Sequence, residues 1–128
     1  MNHFLLVATG GALGALARYG AGIAAFRLVG AGQWPWGTFA VNLTGGLLIG
    51  LITGWLAFKG SANGENIRLF AVVGVLGGFT TFSAFSLEVV AMLERREMAT
   101  AALYALASVI LSVVAVFVGL TIMRKVFG

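Results

Sequence analysis

The stretch that decides the fold is Ile67–Leu93, which reads IRLFAVVGVLGGFTTFSAFSLEVVAML. It is long enough to cross a bilayer as a helix, because a hydrocarbon core of about 30 Å needs about 20 apolar residues. Near its midpoint, two glycines (Gly77 and Gly78) are followed by two threonines (Thr80 and Thr81). Glycine is a poor helix former and threonine is stiff, so this pattern predicts a break in the helix. Carbonyls freed by such a break can coordinate a cation.

Three further long apolar stretches surround this one, and the linkers between them are too short for a soluble domain. The chain has 128 residues, of which 60% are hydrophobic and only 9% are charged, whereas soluble domains are about 25% charged. The runs lack the alternation of barrel strands, so we predict an all-α membrane protein with four transmembrane helices and the third helix broken. It forms a single membrane domain over residues 1–128, with spans at Phe4–Leu28, Gly37–Phe58, Ile67–Leu93 and Met98–Phe127.

Composition also excludes several classes of function. The net charge of +4 comes from basic residues scattered at span ends, which indicates membrane anchoring and no nucleic-acid partner. The absence of cysteine excludes disulfides, thiol catalysis and cysteine-ligated metals. A soluble enzyme is excluded, and we expect no catalytic residue. The first span lacks a basic n-region and contains Arg18, so we expect it to remain in the mature protein.

Positive charges are almost evenly divided between the two ends of the predicted bundle. The positive-inside rule needs an excess to choose an orientation, so we predict that the chain inserts both ways, although a small imbalance can also fix one topology. A population inserted both ways can build an antiparallel dimer. One side carries Lys59, Arg68, Arg124 and Lys125, and the other carries Arg27, Arg95 and Arg96.

Glycines four residues apart recur within the spans and predict close contacts between helix backbones. Four helices of this size enclose little space, so a pore or substrate site would need a second subunit. The glycines in question are Gly10 and Gly14, then Gly46, Gly50 and Gly54, and then Gly74 and Gly78.

Polar side chains inside a span are candidate functional groups. Arg18 is either a snorkelling side chain or a fixed positive charge in a water-filled vestibule that attracts anions. Asn42 either holds helices together or donates its amide N–H to a passing anion. In the fourth span the hydroxyls recur every fourth residue and form one stripe, although single serines usually bond back to their own helix. The stripe consists of Tyr104, Ser108 and Ser112.

Two phenylalanines follow the predicted break. Phe82 and Phe85 are three residues apart and share a face if the helix resumes. Most phenylalanines in membranes serve packing, but the edge of the ring is positive and can hold a small dehydrated anion. Glu88 lies near the end of the same span, and its role stays open.

Taken together, these strings resemble the Fluc (CrcB) family of bacterial fluoride channels over essentially the whole chain. The residues that carry the resemblance are Leu16–Tyr19, Trp36–Thr38, Asn42–Gly45 and Gly77–Ser86, together with Tyr104 and Ser108.

The resemblance implies a passive fluoride-selective channel that exports cytoplasmic fluoride across the bacterial inner membrane. It also implies an antiparallel, dual-topology homodimer with two pores, surrounded by lipid. It places a structural sodium ion at the dimer centre, held by the carbonyls of Gly77 and Thr80, and assigns Arg18 to the vestibule. Val116 departs from the longer hydroxyl track of some relatives, so the course beyond Ser112 is open. The implied pore residues are Asn42, Phe82, Phe85, Tyr104, Ser108 and Ser112, with Ser83 and Thr81 as weaker candidates.

Two other interpretations compete with the channel. A small dual-topology, proton-coupled multidrug exporter needs a membrane-embedded carboxylate, yet the first, second and fourth spans contain no Asp or Glu. A non-transporting membrane scaffold explains the glycines, but it explains neither the hydroxyl stripe nor the break. The residues alone indicate an anion-compatible pore, and the choice of fluoride comes from the resemblance.

Overall fold

Helices account for nearly all of the computed structural model, which describes residues 2–32, 34–60 and 62–128. In chain order they are α1 (His3–Val29), α2 (Trp36–Lys59), α3 (Gly64–Ile67), a π-helical stretch (Arg68–Leu76), α4 (Gly77–Phe79), α5 (Ser83–Glu94) and α6 (Met98–Phe127). The segment Gly64–Glu94 forms the third span, and all four spans are long and apolar enough to cross a membrane. The prediction of four membrane-spanning helices is confirmed.

The third span is bent near its middle, as predicted, but the bend lies on the threonines and not on the glycines. Gly77 and Gly78 are still helical within α4, and the backbone becomes extended only at Thr80 (φ −81°, ψ 155°). The N–H and the hydroxyl of Thr80 both donate to the carbonyl oxygen of Leu76, at 2.9 and 2.8 Å, and close the last helical turn before the bend. Gly78 serves packing instead, since a Cβ on it would lie 2.5 Å from the carbonyl oxygen of Gly11.

Glycine rows bring the helices into backbone contact in two pairs. On α1, a Cβ at Gly14 would overlap the carbonyl of Val75 in the π-helical stretch. On α2, a Cβ at Gly50 would overlap the carbonyl of Val116 in α6. Small residues permit this close approach in lipid, where no hydrophobic force drives helices together. The predicted contacts of the glycine rows are therefore confirmed.

Short turns connect the spans. Gly60 ends α2 in the left-handed conformation (φ 37°), and its N–H donates to the carbonyl oxygen of Leu56 at 3.1 Å. Arg96, in the turn before α6, also has a positive φ of 60°. These turns force neighbouring spans to run antiparallel.

A cluster of buried apolar side chains lies between α5 and α6. It consists of Phe85, Met92, Ala101 and Tyr104, of which Tyr104 and Met92 are the largest fully buried side chains. Most other large apolar side chains face outward, as expected for a protein surrounded by lipid or by a second copy of itself. The cluster fixes α6 against the second half of the broken span.

Candidate functional site

A groove of about 350 Å³ lies beside the bend of the third span. One wall comes from the bend itself, and the facing wall comes from α2 and α6. It collects most of the residues predicted to line a pore, and valine and isoleucine side chains form much of the rest. The predicted residues that line it are Asn42, Thr81, Phe82, Phe85, Ser108 and Ser112, together with Thr80.

Asn42 binds the bend with both ends of its side-chain amide. Its Nδ2 donates to the carbonyl oxygen of Thr81 at 3.0 Å, and its Oδ1 accepts from the N–H of Thr81 at 2.8 Å. This pair of bonds fixes the orientation of the amide, because the opposite orientation would face donor to donor and acceptor to acceptor. Asn42 therefore does hold helices together, and its second N–H stays available to a ligand in the groove.

Arg18 binds the same bend from the other side. Its Nε donates to the carbonyl oxygen of Gly78 at 3.1 Å. Arg18 also lines a second cavity, of about 420 Å³, together with Arg27, Thr38 and Thr81. The arginine is thus anchored within the protein and does not merely snorkel.

The two cavities meet at Thr81, which lines both of them. A cavity with two arginines in its wall is thereby adjacent to an uncharged groove whose wall contains hydroxyl and amide groups among apolar side chains. Long-range attraction by fixed positive charge raises the local concentration of anions. The arrangement can gather anions on one side of the bend and offer them uncharged hydrogen-bond donors on the other.

Phe82 and Phe85 lie side by side at the groove, with ring centroids 5.6 Å apart and planes at 46°. Their surroundings differ strongly. Phe82 is 75% exposed, whereas Phe85 is 9% exposed and packs against Tyr104 at a centroid distance of 5.2 Å. Phe85 therefore belongs to the core as well as to the groove, and Phe82 belongs to the groove alone.

The hydroxyl stripe of α6 is divided. Ser108 and Ser112 line the groove, and Ser108 is buried with no hydrogen-bond partner for its Oγ among the described residues. Tyr104 is fully buried behind Phe85 and is not part of the groove wall. Ser83 is also outside the wall, and its Oγ lies 3.3 Å from Thr81 Oγ1. The groove wall thus contains one buried hydroxyl that has no hydrogen-bond partner among the described residues.

Glu88 is the polar residue to which the sequence assigned no role. Its carboxylate is half-buried and accepts from the hydroxyl of Thr38 at 2.9 Å and from that of Tyr104 at 3.1 Å. It lines a third cavity, of about 290 Å³, with Thr38 and Trp34. The sequence contained one indication of where Thr38 lies: it is one turn before Asn42 on α2, so both residues face the broken span. The partner Glu88 follows only from the packing of the helices.

Four apolar spans, a bent third helix and a groove at that bend with uncharged polar residues in its wall define a small multi-pass membrane protein with a candidate ion pathway. A family model described as "CrcB-like protein, Camphor Resistance (CrcB)" matches residues 5–120. The chain therefore belongs to the CrcB family.

Relatives are similar over the whole length of the chain. A protein of Caulobacter sp. (strain K31) named "Fluoride-specific ion channel FluC" is 59% identical over 128 residues, covering 100% of this chain and 99% of the relative. Proteins of the same name from Hyphomonas neptunium and Caulobacter vibrioides (strain NA1000 / CB15N) are 55% and 52% identical, and both chains are covered fully in each case. The family and the four spans indicate a multi-pass protein of the inner membrane.

Proposed function

We propose that this protein is a passive fluoride channel that exports cytoplasmic fluoride. The names of its relatives support a fluoride channel, and they give no support to the proton-coupled exporter. The observation that carries the proposal is the groove, whose wall brings together Ser108, Asn42 and the two phenyl rings; the buried Ser108 hydroxyl has no hydrogen-bond partner among the described residues. This site offers donors and no charge.

The chemistry of the groove suits a small, strongly hydrated anion. Fluoride loses its water only if other donors replace it at close range, and a charged donor would bind it too tightly for it to leave. Hydroxyl and amide donors, together with the positive edges of Phe82 and Phe85, meet both requirements. Movement is then driven by the concentration gradient and by the membrane potential, which is worth about 2.3 kcal/mol per charge per 100 mV.

The channel requires a second copy of the chain, which we propose binds in the inverted orientation. The groove is open along one side of the protomer, and Phe82 is 75% exposed there. An antiparallel, two-fold homodimer would cover this side, and its symmetry would generate two equivalent pores. The near balance of positive charges supports insertion in both orientations.

Dual topology can be measured directly because the chain has no cysteine. We expect a single cysteine at either end of α6, Gly128→Cys or Met98→Cys, to be labelled to about half by a membrane-impermeant maleimide added to intact cells, as insertion both ways requires. The two positions are matched controls, since they lie on opposite sides of the membrane. Nearly complete labelling at one position and none at the other would contradict dual topology.

A sodium ion at the centre of the dimer fits the chemistry of the bend. The extended backbone of Thr80 directs its carbonyl away from the helical hydrogen bonds, and backbone carbonyls are suitable ligands for a dehydrated alkali cation. We propose that the carbonyls of Gly77 and Thr80 hold the ion, with the same pair from the second copy. The bound cation would supply fixed positive charge and neutralise carbonyls that are otherwise left without donors in the membrane.

Reconstitution tests the proposed function. In liposomes that contain the purified protein, we expect rapid fluoride efflux that increases with the applied potassium–valinomycin voltage and needs no pH gradient. Chloride-loaded liposomes serve as the control and should release little chloride. Efflux that depends on a pH gradient would favour the exporter, and impermeable liposomes would favour the scaffold.

A further inference from the structure

Two backbone amides near the bend donate to side chains instead of to the helix. In an unbroken helix each N–H donates to the carbonyl four residues earlier. The N–H of Thr81 would therefore bond Gly77, but it donates to Asn42 Oδ1 at 2.8 Å. The N–H of Ala84 would bond Thr80, but it donates to Thr81 Oγ1 at 3.2 Å.

The carbonyls deprived of their donors are those of Gly77 and Thr80, the same pair that is proposed to hold the cation. The carbonyl of Gly78, which lies between them in the chain, is occupied by the Nε of Arg18 at 3.1 Å. The carbonyl of Thr81 is occupied by Asn42 Nδ2 at 3.0 Å. Side chains thus occupy two of the carbonyls at the bend and remove the expected donors from two others.

We propose that Asn42 and Thr81 are positioning residues for the cation, because their side-chain oxygens keep the carbonyls of Gly77 and Thr80 free. This inference rests on the proposed cation site. Asn42 would then both donate to the anion and accept from the N–H of Thr81 so that the Gly77 carbonyl stays free. The groove and the cation site therefore share one residue. Loss of the Asn42 oxygen allows the Thr81 N–H to return to Gly77, and the cation must then compete with a hydrogen bond.

The structure suggests three variants for the test. Asn42→Ala and Thr81→Val each remove an accepting oxygen, and Thr81→Val does so at nearly constant volume. Thr81→Ser retains an oxygen at the accepting position. Thr121→Val is the matched control, since its hydroxyl bonds the carbonyl of Phe117 on α6, away from the bend.

The measurement is the unfolding midpoint of the purified protein in detergent as sodium replaces N-methylglucamine at constant ionic strength and without fluoride. A cation that binds only the folded dimer raises this midpoint by mass action. We expect Asn42→Ala and Thr81→Val to require about fivefold more sodium for the same increase, the factor that corresponds to one hydrogen bond of about 1 kcal/mol. Thr81→Ser and Thr121→Val should keep the sodium response of the original protein.

Each outcome decides the inference. An unchanged sodium response in both Asn42→Ala and Thr81→Val overturns it, and so does a loss in Thr81→Ser equal to that in Thr81→Val. If Asn42→Ala does not fold, the two Thr81 variants decide alone. If the unfolding midpoint of the original protein does not change with sodium, both the inference and the proposed cation site are overturned. Fluoride efflux from liposomes tests the proposed channel separately.

Discussion

Replacing Phe82 by isoleucine is expected to lower fluoride efflux from liposomes by about 100-fold, which corresponds to about 2.7 kcal/mol in the barrier. The ring edge of Phe82 is one of the few groups in the groove that can face a dehydrated anion, and an aliphatic side chain has no comparable positive edge. Leaving a desolvated charged group without one partner costs about 1–3 kcal/mol or more. The protomer should still fold, because the Phe82 side chain is 75% exposed and contributes little to its core.

The matched control for this variant is Phe117→Ile. Phe117 is a 66% exposed phenylalanine within a span, and it is not among the residues that line the groove. Its replacement should leave efflux unchanged, and both variants should be extracted and purified in similar amounts. Normal efflux from Phe82→Ile liposomes, or an equal loss in Phe117→Ile, would refute a role for the ring. Phe85 is a poorer choice, because its ring also packs in the core with Tyr104.

Ser108→Ala is expected to change function and stability in opposite directions. The Ser108 hydroxyl is buried and lacks a partner among the described residues, and an unsatisfied buried polar group costs about 1–3 kcal/mol. Removing it should raise the free energy of unfolding by about 1 kcal/mol. The same change should lower fluoride efflux by about tenfold, equivalent to about 1.4 kcal/mol, because the anion loses one donor in the groove.

Two measurements separate these effects: the unfolding midpoint in detergent and the rate of fluoride efflux. Thr121→Val is the control on the same helix, because its hydroxyl already bonds the carbonyl oxygen of Phe117 at 2.8 Å and lies outside the groove. That variant should show normal efflux. If Ser108→Ala instead loses stability and retains full efflux, the hydroxyl serves packing and is not a donor to the ion.

The number and extent of the spans were predictable because length and hydropathy are properties of local sequence. The predicted spans at residues 4–28, 37–58, 67–93 and 98–127 correspond closely to the helices of the structure. The break was predictable for the same reason, since glycine and threonine weaken a helix wherever they occur. Its exact position was decided by the folded structure, in which Gly78 packs against α1, both glycines stay helical and the backbone becomes extended only at Thr80.

The polar contacts of the site were decided by tertiary structure. Asn42 and Thr81 are 39 residues apart in the chain, Arg18 and Gly78 are 60 apart, and Thr38 and Glu88 are 50 apart. Sequence alone marked Asn42 and Arg18 as polar residues in lipid, but it left their partners open and gave Glu88 no place. A helix-length apolar run specifies its own backbone bonds, whereas a buried polar side chain bonds to whatever the close packing of glycine rows brings within reach.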